Sequence, residues 1–180
     1  MASYFISSKQ FDCRNFEEQI IFSEIKALCH SSQMIEKIGG NNIYLSSVDS
    51  IIDQFVKVNS MYEPSKSSPI IHFIIYFSAK YDDVNINQAD YIAQEFCKFL
   101  NQYQVLYVIS NKSVKHTALH FIINTRNLEN GEVLKLNSNI EQIFCLQIAF
   151  ILSNPHLWKG KNIVKLVQHG SSPENMNYFN

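Results

Sequence analysis

The chain has 180 residues, 20.8 kDa, with 46% hydrophobic and 17% charged residues. That is one domain with one core; it excludes intrinsic disorder, and no apolar run is long enough for a membrane span. Lys and Arg number 15 against 16 Asp and Glu, a net charge of −1, which argues against gripping a polyanion by bulk charge alone. The first elements follow in chain order. Ser3–Ser8 alternates as a strand, and Asn15–Leu28 reads as a helix whose stripe runs through Phe16, Ile20, Ser23/Glu24 and Ala27. Gly39-Gly40-Asn41-Asn42 is a turn signal. Ser47 can cap a second helix carrying Val48, Ile51, Ile52, Phe55 and Tyr62.

Beyond the polar, proline-closed loop Glu63–Pro69, Ile70–Ser78 is the clearest strand, apolar on both faces. Asn87–Leu100 is the best helix, with Ala89, Ile92, Ala93, Phe96 and Leu100 on one face. Tyr103–Ser110 and Thr117–Arg126 read as an antiparallel hairpin joined by Asn111–His116. Asn130-Gly131 is a turn, and Glu132–Leu136 is expected as a short strand. Ser138 and Glu141 have capping-box spacing at the head of an apolar helix, Ile140–Leu152, which Asn154-Pro155 stops. The fold class is α+β, a mainly antiparallel sheet of about five strands with helices packed on it. Residues 1–153 form that domain, and 154–180 are a polar C-terminal extension. The four scattered cysteines and the lack of a basic-then-apolar opening point to reduced thiols in a cytoplasmic chain that does not enter a membrane.

Chemistry concentrates on the hairpin. On the second strand, Ala118, His120, Ile122 and Asn124 share one face, and Leu119, Phe121 and Ile123 the other. His116 and His120 are four apart, roughly 13 Å on an extended strand, too far to share one ion unless the loop curls back. One buried, hydrogen-bonded histidine beside a loop histidine is the plain alternative. Lys159, Lys161 and Lys165 with Trp158 make a small basic and aromatic cluster that could touch a phosphate backbone and stack a base.

The segment Ser110–Glu132, with His116, His120-Phe121, Asn124 and the Gly131 turn, resembles the signature of the relaxase/mobilisation nuclease family, the HUH-type, MobA-like enzymes that start conjugative DNA transfer. Ile71–Phe77 resembles the family's H-x-x-x-S-F strand, with Tyr76 in the serine place. The resemblance spans roughly Ser47–Leu152. It implies a relaxase-like fold, and a tyrosine on the first helix that attacks a DNA phosphodiester. It also implies a divalent cation, Mn²⁺ or Mg²⁺, held by three histidines to stabilise charge on the phosphate.

Carried over residue by residue, the ligand positions are Asn111, Ala118 and His120, of which only His120 is a histidine. His116 matches a further family histidine. Phe22 stands where the nucleophilic tyrosine should, and a phenyl ring is no nucleophile. His72, Asn124, Lys112 and Lys115 are the candidate DNA contacts. The expectation is a relaxase-like protein of a mobile element that binds single-stranded or hairpin DNA, works beside other conjugation proteins, has lost nicking, and needs no cofactor. Two alternatives stand: an active enzyme with a rearranged site of His72, His116 and His120, and a protein-interaction module on the same fold.

Overall fold

The computed structural model describes residues 3–9, 11, 17–30, 34–78, 84–113, 116–154 and 165–166. In chain order the elements are β1 (Ser3–Lys9), α1 (Glu17–Cys29), β2 (Met34–Asn41), α2 (Val48–Ser60), β3 (Ile70–Ser78), α3 (Ile86–Phe99), β4 (Val105–Ser113), β5 (His116–Asn124), α4 (Ser138–Leu152) and the two-residue β6 (Lys165–Leu166). The strands make one sheet of order β2-β4-β5-β3-β1-β6, antiparallel throughout except that β6 runs parallel to β1. The fold class is therefore the one expected, α+β with a mainly antiparallel sheet. Among the described residues no helix is long and apolar enough to cross a membrane.

Helices cover both faces of the sheet. Strand alternation sends Ile70, Leu106, Val108 and Ile122 to one side, where they meet Ile21 and Ile25 of α1 and Ile51, Ile52 and Phe55 of α2. Phe73, Ile75, Leu119, Phe121 and Ile123 point to the other side and meet Ile92 and Phe96 of α3 and Phe144 and Ile148 of α4. Burial on both faces explains why β3 and β5 are apolar almost without interruption. The second layer is anchored by an aromatic cluster: Phe73 lies 5.5 Å from Phe96, and Phe144 meets Phe96 edge-on at 5.4 Å. Each fully buried ring contributes roughly 1.5–3 kcal/mol.

Local sequence sets the helix starts. Ser47 accepts from the Ser50 amide at the head of α2, as expected. At α3, Asn85 and Gln88 form a reciprocal capping box. At α4 the cap is Asn137, whose Oδ1 accepts from the Ile140 amide; Ser138 is already inside the helix. Glu141 is not free to close a box, because its Oε1 accepts from Ser8 Oγ at 2.6 Å.

Two expectations about strands are corrected. Gly39 and Gly40 do not make a turn but end strand β2, pairing with Tyr107 and Leu106. A Cβ on Gly39 would fall 2.1 Å from the Tyr107 ring, so the glycine is there for close approach. The Tyr107 hydroxyl donates to Asp90 at 2.7 Å, and Lys37 reaches the other carboxylate oxygen at 2.7 Å, tying this edge to α3. Glu132–Leu136 forms a single bridge, Val133 with Arg126, rather than a strand.

Candidate functional site

The register of β3 on β5 places Ile74 opposite His120 and His72 opposite Ile122, so His72, Tyr76 and His120 share the face covered by α1 and α2. Lys9 is the partner of His72 on β1 and joins the same face. His72 Nε2 lies 3.2 Å from His120 Nδ1, with the ring centroids 5.5 Å apart. His72 Nδ1 lies 3.3 Å from Glu24 Oε2, and the Lys9 ammonium donates to Glu24 Oε1 at 3.0 Å. Tyr76 stands edge-on to His120, 6.4 Å between centroids.

The four side chains form a graded chain from solvent to core. Lys9 is 58% exposed and Glu24 19%; His72 is 13% exposed, and His120 is buried. The hydrogen bond from His72 holds the Glu24 carboxyl below its ordinary range; burial opposes this and Lys9 reinforces it. Burial pushes the Tyr76 phenol up. A carboxylate only accepts, so with both rings neutral His72 carries its hydrogen on Nδ1 and accepts at Nε2. His120 must then donate from Nδ1, and its lone pair sits on Nε2.

The remaining sequence-derived candidates are dispersed. Asn111 pairs with Thr117, which puts it on the opposite face of the sheet from His120. There its Oδ1 accepts from Thr117 Oγ1 at 3.1 Å and its Nδ2 donates to Glu36 at 3.3 Å. It therefore does not converge with His120 on one ion. Ala118 is on the His120 face but is buried and has no donor atom. Asn124, expected at DNA, is fully buried. Its Oδ1 accepts from Asn59 Nδ2 and the Arg126 amide, and its Nδ2 donates to Gln104 Oε1 and the Phe55 carbonyl. An amide so enclosed pins α2 to the end of β5 and offers nothing to a strand of DNA.

Phe22 is 45% exposed on α1, with the Lys26 ammonium 4.6 Å over its ring. Two residues on a helix are about 200° apart, so Phe22 points away from the side that carries Glu24. The α1 residue that reaches the histidines is Glu24. The side chains of Lys112 and His116, all of Lys115, and the Lys159/Lys161/Trp158 cluster lie outside the described residues.

The residues at the three ligand positions thus do not fit a metal centre, and among the described residues no group of three His, Cys, Asp or Glu side chains could hold an ion. Sequence reading missed Glu24 and Lys9. A carboxylate on the apolar stripe of α1 was the available signal for Glu24; Lys9 carried none.

A model of the MobA/VirD2-like relaxase nuclease domain matches residues 27–145, more than half of the chain. No curated protein sequence matches it. A solved structure titled "Molecular Basis of Vancomycin Resistance Transfer in Staphylococcus aureus" is similar, with a TM-score of 0.63 and 15% identity over 89% of this chain and 96% of that one. At that identity the likeness is one of fold. The family match and the sheet with helices on both faces agree: this chain belongs to the MobA/VirD2-like relaxase nuclease-domain family.

Proposed function

We propose that this protein serves a mobile genetic element as a relaxase-fold DNA-binding protein that does not cut DNA by a metal-dependent route. One observation carries the reading. Of the three ligand positions only His120 has an imidazole, and its Nδ1 is engaged by His72 in a chain that ends at Glu24 and Lys9. Asn111 faces the other side of the sheet, Ala118 is a methyl group, and Phe22 is no nucleophile. What remains on that face is suited to holding a phosphodiester rather than breaking it. Lys9 is a half-exposed cation at the rim, and its pairing with Glu24 sets its position. Near-neutral net charge then predicts modest affinity with a shallow salt dependence.

A second reading rests on the 3.2 Å between His72 Nε2 and His120 Nδ1. Two nitrogens bound to one ion at about 2 Å each come to a similar separation. In that reading His116 completes a rearranged site and the protein nicks. The experiment is filter binding with a labelled pool of single strands and hairpins, at low and physiological salt, in Mn²⁺ or EDTA, followed by a denaturing gel. Modest retention that falls only shallowly from low to physiological salt, with intact DNA in both buffers, is the expected result. Cleavage or a protein-linked product in Mn²⁺ alone would establish the second reading instead. No retention even at low salt would leave an interaction module on this fold.

A further inference from the structure

The cradle that would receive a phosphate already holds an anion. Lys9 Nζ and His72 Nδ1 meet the two carboxylate oxygens of Glu24, one each, at 3.0 and 3.3 Å. Among the described residues Glu24 is the acid that reaches either group. A phosphodiester presents the same face: two non-bridging oxygens that share one negative charge and accept from a pair of donors. The cation assigned above to the DNA backbone is thus occupied and neutralised in the free protein.

Stability gives little reason for an acid at this position. Glu24 precedes Ile25 and follows Ile21 by three residues, and both isoleucines are fully buried against the sheet. Its carboxylate gives up most of its water there, and burial works against the ionised form. Its Lys9 partner is more than half exposed, and ion pairs of that kind contribute little. An apolar side chain would suit the stripe as well or better.

We propose that Glu24 is a built-in competitor of the DNA backbone: its carboxylate fills the Lys9–His72 cradle in the free protein and yields it to a phosphodiester of single-stranded DNA. The inference rests on the DNA-binding reading above. Exchange needs no movement of α1. Glu24 stands at the rim, still partly exposed, on a side chain that changes rotamer freely, so its carboxylate can turn to solvent while Ile21 and Ile25 stay packed. The entering phosphate replaces one negative charge by another, so the ammonium and the imidazole have a partner in both states. Each binding event then carries the cost of freeing a carboxylate, which sets the affinity low.

Fluorescence anisotropy of a labelled oligothymidylate of about 20 nucleotides, titrated with the full chain from about 50 to 200 mM salt, tests this. Glu24→Gln should bind about five-fold more tightly at low salt. Its plot of log affinity against log salt should steepen by about one, because Lys9 then meets DNA without returning a carboxylate to the buffer. Glu18→Gln removes the same charge from an exposed position on α1 and should shift affinity less than about two-fold. Glu24→Leu should match Glu24→Gln, and it keeps the test standing if the amide variant melts low. Loss of an ion pair that served stability alone would lower Tm and leave binding where it was. Wild-type binding that Glu24→Gln leaves equal or weakens would overturn the proposal while the DNA-binding reading stands. Equal gains from Glu18→Gln and Glu24→Gln would overturn it too, as an effect of bulk charge. If neither the wild type nor any variant binds, both fall.

Discussion

Asn124→Ala separates a structural residue from a DNA contact. Removing the amide strips the Arg126 backbone N–H of the acceptor it has at 3.1 Å, and Gln104 Oε1 of the donor it has at 2.9 Å. Both residues are buried. The Phe55 carbonyl and Asn59 Nδ2 suffer less, because they bond each other at 3.0 Å. Two buried polar groups left without partners cost about 1–3 kcal/mol each, so the variant should lose roughly 3–4 kcal/mol. That is a large share of the 5–15 kcal/mol typical of a domain, and at this size it lowers Tm by about 10 °C. Asn59→Ala, which leaves Arg126 and Gln104 satisfied, should cost about 1 kcal/mol. Urea denaturation followed by circular dichroism reads both. If Asn124→Ala melts within about 2 °C of wild type while DNA retention falls, the assignment of Asn124 to the core is wrong.

Other expectations follow from the site and the edge. Glu24 has a folded-state pKa below its ordinary 4.5, so its ionic contacts stabilise the protein above that pH and are lost as the pH falls through the depressed value. The Tm gap between wild type and Glu24→Gln should therefore be present at pH 6 and shrink as the pH is taken progressively below 4.5; a gap independent of pH would refute this. Millimolar Mn²⁺ should leave Tm within about a degree, whereas a metal site filled at a hundred times its dissociation constant would add about 2.7 kcal/mol. A rise of several degrees that His120→Ala abolishes would show that a site exists. Gly39→Ala should displace the Tyr107 ring, break its bond to Asp90 and cost about 2 kcal/mol by overpacking. An unchanged melting curve would mean that the edge yields freely.

Much of the fold was legible where one physical signal dominated. Burial on both faces gives Ile70–Ser78 its unbroken apolar run, and the strand has the bounds expected of it. The helix stripe of α3 was equally clear. β2 was not, because Met34–Asn41 lies at the sheet edge with little apolar content, and a Gly-Gly pair needed for tertiary contact looks like a pair needed for a turn. At the site, alternation along β5 correctly put His120 and Asn124 on one face, but not how deeply Asn124 is enclosed. Nor does alternation reveal register. That His72 meets His120 follows from how β3 slides along β5, which no local pattern records.

The strand order has a consequence for how the protein is made. Of these strands β1 leaves the ribosome before the others, yet its neighbours are β3 and β6, and β3 must also wait for β5. The β4–β5 hairpin can close on contacts local in sequence; Lys9 and Glu24 reach His72 and His120 only through distant ones. Such topologies fold slowly and leave early strand edges exposed during synthesis. The histidine chain is therefore among the last features to assemble, and a nascent chain halted before residue 116 would hold Lys9, Glu24 and His72 without β5, the strand that carries His120.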